Sequence, residues 1–142
     1  MSIIKTTPLQ NSTIMKTYAE RGEINLSPEY QRMGGIWSLE KKQLLIDSII
    51  NNYDIPKIYF HELGNDDKYD FSVIDGRQRL EAIWDFMNDK FTLSHDFKYF
   101  KDPQQRLGSL AYSDLAQQHL KIRIDFDSVV LPIVVVMTDD ID

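Results

Sequence analysis

Cysteine is absent from the 142-residue chain. That removes disulfides, thiolate metal sites and cysteine nucleophiles together, and it suits a reducing, cytoplasmic setting. Long apolar runs are missing too. The longest, Val129 to Met137, is far short of the roughly 20 residues that cross a bilayer. Met1 to Gln10 lacks the apolar stretch of a signal peptide, so no membrane partner is expected. Basic residues are outnumbered 16 to 22, for a net charge of −6. That balance argues against a surface that grips nucleic acid along its length. The acidic excess is uneven, because the chain from Leu110 onward carries −4 of it, and the front part can still present a local basic pocket. The three histidines, His61, His95 and His119, stand far apart without metal-ligand spacing and read as surface or core residues. The lysine-bearing phosphate loop, the dinucleotide glycine pattern and the zinc-binding helix motif are all missing, and so are internal repeats.

What is present fits one α/β domain over residues 1–142, of α+β type, with a core of ordinary size. Met1 to Gln10 is polar and reads as a loose lead-in. Ser12 or Thr13 caps a short helix that runs through Arg21 and stops at Gly22, before a short strand from Glu23 to Leu26. Ser38 caps a helix to about Asn51, with Leu44, Leu45, Ile46 and Ile49 facing inward. Lys41 and Lys42 read as its solvated face. Pro56 opens a strand through Phe60 or His61, the segment Gly64 to Asp67 turns, and Lys68 to Ile74 returns antiparallel to it. Phe91 to Leu93 reads as a further short strand, and Ser94 to Gly108 as a polar loop. Ser113 and Asp114 start a helix carrying Leu115, Leu120 and Ile124, and Val129 to Met137 is a buried-strand pattern. A core strand followed at once by acids predicts a helical continuation of a longer chain.

The chain is organised around Val73-Ile74-Asp75-Gly76-Arg77-Gln78-Arg79-Leu80. A strand pattern enters it, and Leu80, Ile83, Trp84 and Met87 recur after it at helical spacing. Asp75-Gly76 is then a tight strand-to-helix turn, where glycine permits both a sharp path and the close approach of a ligand. The first N–H groups of a helix lack intrahelical partners and carry the positive end of its dipole. Arg77 and Arg79 add two guanidinium forks suited to phosphate oxygens. Asp-Gly also suits a hairpin turn, so an anion site and a plain turn both stand as readings. A second stretch, Tyr30 to Trp37, sets Tyr30, Arg32 and Trp37 around a Gly-Gly pair. Its aromatics either plug the core, or form a second pocket wall with a face for a base and Arg32 for phosphate.

Taken in order, Pro28-Glu29-Tyr30-Gln31-Arg32, Trp37-Ser38, Leu45-Ile46-Asp47-Ser48-Ile49, Ile55-Pro56 and Ile74 to Leu80 resemble the N-terminal domain of GmrSD-type restriction enzymes, a branch of the ParB/sulfiredoxin-like superfamily. The family motif reads Asp-Gly-Gln-Gln-Arg, and this chain has Arg77 at the first glutamine. The resemblance implies a ParB-like fold, a small mixed sheet flanked by helices, that binds nucleoside triphosphates and in several members hydrolyses them. Its members commonly precede a helical region and an HNH nuclease domain and act against modified phage DNA. DNA and a C-terminal nuclease domain are therefore the partners implied for the full-length protein. Tyr30, Gln31, Arg32, Asp75, Gly76, Arg77, Gln78 and Arg79 become the nucleotide-binding set. Asp75 is the implied Mg²⁺ ligand or helix cap, and Asp75 and Gln78 the pair that would orient the attacking water. The competing readings are a module that binds DNA phosphate or a modified base without turnover, and an interaction scaffold whose motif merely locks the fold.

Overall fold

Alternation along the strands and 3.6-residue periodicity along the helices sort this chain into two compact units, each assembled from separated stretches of sequence. The computed structural model describes residues 4–26, 36–65 and 68–138. The sheet unit draws on Met1–Gly34, Pro56–Arg77 and Val130–Asp142, and the helical unit on Gly35–Ile55 and Gln78–Val129.

In the sheet unit, β1 (Ile4–Pro8), β2 (Ile24–Asn25), β3 (Ile58–Glu62), β4 (Phe71–Asp75) and β5 (Ile133–Thr138) lie in the order β1-β5-β3-β4-β2. β1 with β5 and β3 with β4 are antiparallel, whereas β3 with β5 and β2 with β4 run parallel. This is the mixed sheet that the family resemblance implies, with the antiparallel β3–β4 pair read from the sequence. Ile58, Phe60, Val73, Ile133 and Val135 are buried, while the alternate residues Tyr59, His61, Val134 and Val136 are only partly covered, as the two-residue period of a strand requires. Helix α1 (Ile14–Ala19) adds the buried Ile14, and its cap Thr13 accepts the Lys16 N–H at 3.2 Å. The Ser12 hydroxyl donates to the Leu131 carbonyl at 2.8 Å, and the Leu131 N–H returns a 2.8 Å bond to the Ser12 carbonyl. The entry to α1 is thus tied to the approach to β5. Two expectations change here. Residues 4–8 are an edge strand, not a loose lead-in; all five are exposed, so no hydrophobic pattern announces them and the backbone ladder with β5 defines them. Gly22 sits inside a 3₁₀ turn, Arg21–Glu23, rather than ending the helix.

The helical unit holds α2 (Leu39–Ile50), α4 (Tyr112–Gln118), α5 (Leu120–Asp127) and all but the first residue of α3 (Arg77–Met87). Ser38 caps α2, its Oγ accepting the Lys41 N–H at 3.2 Å. Leu45, Ile46, Ile49 and Ile50 are buried, but Leu44, expected inside, is 63% exposed. The apolar stripe is centred one position further round the helix. α3 buries seven of its eleven residues. Phe86 is the hub of a ring cluster, with centroids 5.7 Å from Phe91, 5.9 Å from Tyr112 and 5.6 Å from Phe126, spacings at which aromatic pairs attract. Phe91 to Leu93 is not a strand; its one backbone link, from Leu93 N–H to the Leu110 carbonyl at 2.9 Å, is not a ladder.

The helix expected after Ser113 is two helices broken at His119. Asp114 steadies the start of α4 by accepting the Ala111 N–H at 2.8 Å. Residues 120–127 alternate apolar and charged like a strand yet coil as α5. Ile122 and Phe126 therefore face in, and Leu120 and Ile124, expected to pack, are exposed. Two polar clusters brace the unit. The buried Asn51 donates to Asp47 Oδ1 at 2.7 Å and to the Lys98 carbonyl at 3.0 Å, and accepts the Phe100 N–H at 2.9 Å. Tyr112 donates to Asp127 at 2.7 Å, while Arg123 Nε donates to both. Burial, then the bond to Asp127, push the Tyr112 hydroxyl up to about 12 against the partial opposition of Arg123.

Asn51→Ala strips partners from two backbone groups of the 98–100 loop and should cost about 2 kcal/mol in urea unfolding. Tyr112 generates a pH prediction. Its folded pKa lies above the ordinary 10, so its contribution is intact below pH 10 and is lost as pH rises to about 12. The stability difference between the wild type and Tyr112→Phe should shrink across that window in unfolding titrations.

Candidate functional site

The register of β3 against β4 decides where Asp75 points. His61 pairs with Ser72 and Phe60 with Val73, but Tyr59 pairs with Asp75. Ile74 is thus an extra residue, a bulge at the end of β4. Without it Asp75 would share the face of Val73, which is buried. With it Asp75 shares the face of Tyr59 and is exposed. A bulge re-aims a strand in just this way. Gly76 follows at φ +114°, and a Cβ there would lie 2.8 Å from Ile58 Cγ2 and 2.9 Å from Cγ1. Only glycine meets both constraints. α3 begins at Arg77, so the strand–glycine turn–helix reading holds for this stretch.

In the helical unit, Gln78 and Arg79 occupy the first turn of α3. The Trp37 N–H donates to Gln78 Oε1 at 3.4 Å, and Trp37 immediately precedes Ser38, the cap of α2. The starts of α2 and α3 therefore meet, and with them two positive dipole ends. Lys41, read from the sequence as a solvated face, places Nζ 4.8 Å over the Trp37 ring; only a tertiary contact could have shown it. Lys42 reaches Asp85 at 3.9 Å. Arg79 is buried at 9% exposure and Arg77 is half-buried, so neither guanidinium is a freely waving surface charge. Tyr30, Gln31 and Arg32 lie outside the described residues. Among the described residues no group of three or more His, Asp or Glu is placed to hold a metal.

Concavities among the described residues lie elsewhere. One of about 260 Å³ in the helical unit is lined by Ile50, Tyr99, Lys101, Ile122 and Asp125. Another, of about 180 Å³ in the sheet unit, includes Phe60, Phe71, Glu20, Glu23 and Asp70. There the neighbouring Asp70 carboxylate, more than burial, pushes Glu23 above the ordinary carboxylate range. No residue of 75–79 lines either, and neither gathers cations for an anion.

A mixed α/β domain with a glycine turn feeding an arginine-bearing helix is the class of protein these elements define. Residues 13–129 match the family described as GmrSD restriction endonuclease, N-terminal domain, and the chain belongs to that family. It is a domain of restriction and defence proteins. The matched span takes in the 75–79 stretch with α2 and α3 and leaves out β1 and β5. No curated protein and no solved structure is a match to the chain. No helix among the described residues is long and apolar enough to cross a membrane.

Gly76→Ala should destabilise the fold by about 3 kcal/mol, from backbone strain and overpacking together. A double-mutant cycle with Ile58→Ala in urea unfolding should recover about 1 kcal/mol or more of that, the steric share. Additive costs would mean that Ile58 does not confine the turn.

Proposed function

We propose that this domain binds a nucleoside triphosphate at Asp75–Arg79 and, with Mg²⁺, hydrolyses it to regulate a nuclease domain of a modification-dependent restriction system. One observation carries the reading: a positive-φ glycine, with no space for a side chain, delivers β4 directly into the first turn of α3. Phosphate oxygens suit the positive end of a helix dipole at such a turn. Arg77 and Arg79 supply charge-assisted bonds, and the family motif adds Arg32, which lies outside the described residues. Asp75, exposed at the strand end, is the carboxylate that would share Mg²⁺ with phosphate oxygens. A single carboxylate suits that ion, which keeps most of its waters. Gln78 orients the attacking water.

Calorimetry with the four ribonucleoside triphosphates, with and without Mg²⁺, tests this directly. The wild type should bind. Arg77→Gln restores the family residue at similar helix propensity and should lose no more than about tenfold in affinity, the worth of one charge-assisted bond. Arg79→Lys should lose more, because a point charge replaces a fixed fork. Binding of DNA oligonucleotides but of no nucleotide, by a folded sample, would replace this reading with that of a phosphate- or modified-base-binding module without turnover.

A further inference from the structure

The start of α2 carries more exposed apolar surface than a helix cap needs. Ile36 is 90% exposed and Leu39 55%, and Trp37 between them is half-buried. A single exposed apolar side chain needs no explanation, but three within four positions call for a ligand or a partner. Their location selects among these. The Trp37 N–H is bonded to Gln78 at 3.4 Å, so the group stands one hydrogen bond from the first turn of α3. Lys41, one helical turn along, is fixed by the Ser38 cap at 3.2 Å and lays its ammonium 4.8 Å over the indole. A flat ring, apolar neighbours and a cation one hydrogen bond from Gln78 in the first turn of α3 complement a nucleoside phosphate: a planar base joined to negative charge.

We infer that Trp37 is the base-contacting wall of the nucleotide site and that Gln78 is the positioning residue that holds it there. This rests on the nucleotide reading above and adds which part of the ligand is recognised, and how. The base is met through its face. Every base offers a π face, so stacking tolerates all of them, and the domain discriminates weakly among the four ribonucleotides.

The chain has two tryptophans, and Trp84 is buried at 5% exposure, so a ligand-dependent change in indole emission reports on Trp37. The test titrates ATP and inorganic tripolyphosphate, by fluorescence and calorimetry, into the wild type, Trp37→Ala, Trp37→Leu, Trp37→Phe and Gln78→Leu, with thermal melts of each. ATP should shift the emission, and tripolyphosphate should bind without doing so. Trp37→Ala should weaken ATP about tenfold, the usual worth of one stacked base, and leave tripolyphosphate unchanged. Trp37→Leu, which keeps apolar bulk without a π face, should behave the same way and decides the matter if the alanine variant does not fold. Trp37→Phe should keep most of the affinity. Gln78→Leu should weaken ATP and reduce the emission change. Equal losses for both ligands in Trp37→Leu, or none for either, would overturn the inference while leaving nucleotide binding standing. A folded wild type that binds neither ligand would overturn the nucleotide reading, and this inference with it.

Discussion

The contact between Gly76 and Ile58 is the constraint on which the rest of the motif depends. A backbone at φ +114° with side-chain atoms where a Cβ would project admits one residue type, and that residue stands where β4 ends and α3 begins. A helix that starts straight from a strand places the positive end of its dipole at the turn itself, so the steric constraint on Gly76 also fixes where that end lies. The bulge at Ile74 complements it. The bulge moves Asp75 off the buried face of the sheet, so the carboxylate is exposed at the strand end beside the turn.

Gln78 acts in the helical unit. By accepting the Trp37 N–H it couples the start of α3 to the start of α2, and a cap that would otherwise serve α2 alone becomes part of the surroundings of the motif. The membership of residues 13–129 in the restriction-endonuclease N-terminal family and this local geometry point the same way. Neither depends on the net charge of the chain, which is negative. The helix start and two half-buried or buried guanidinium groups make a local field of the opposite sign to the net charge.

The sequence disclosed those parts whose burial is periodic. α2 and α3 are amphipathic, and their starts follow from Ser38, Gly76 and the spacing of Leu80, Ile83, Trp84 and Met87. β1 was not legible because none of its five residues is buried; only its ladder with β5 makes it a strand. α5 misleads for the opposite reason. Its strand-like alternation puts apolar residues on two sides of a helix, so Leu120 and Ile124 look like core and are not. Leu44 looks inward-facing only when the apolar stripe of α2 is taken one residue out of phase. At the site, the path from strand through glycine turn to helix was readable from residue types alone. The bulge at Ile74, the confinement of Gly76 by Ile58 and the Trp37–Gln78 bond were not, because each is a relation between stretches far apart in sequence. Tyr30, Gln31 and Arg32 lie outside the described residues, and their part in the site rests on the family motif.

The central claim is that the turn itself, through its backbone, receives phosphate. Amide chemical shifts of the ¹⁵N-labelled protein, recorded with a nucleoside triphosphate and separately with the parent nucleoside, test it most directly. The account predicts that the largest perturbations fall on the Gly76, Arg77 and Gln78 amides with the triphosphate, and that these are absent with the nucleoside. Equal perturbation by both ligands, or a response centred on the cavity lined by Ile50, Tyr99 and Ile122, would contradict it.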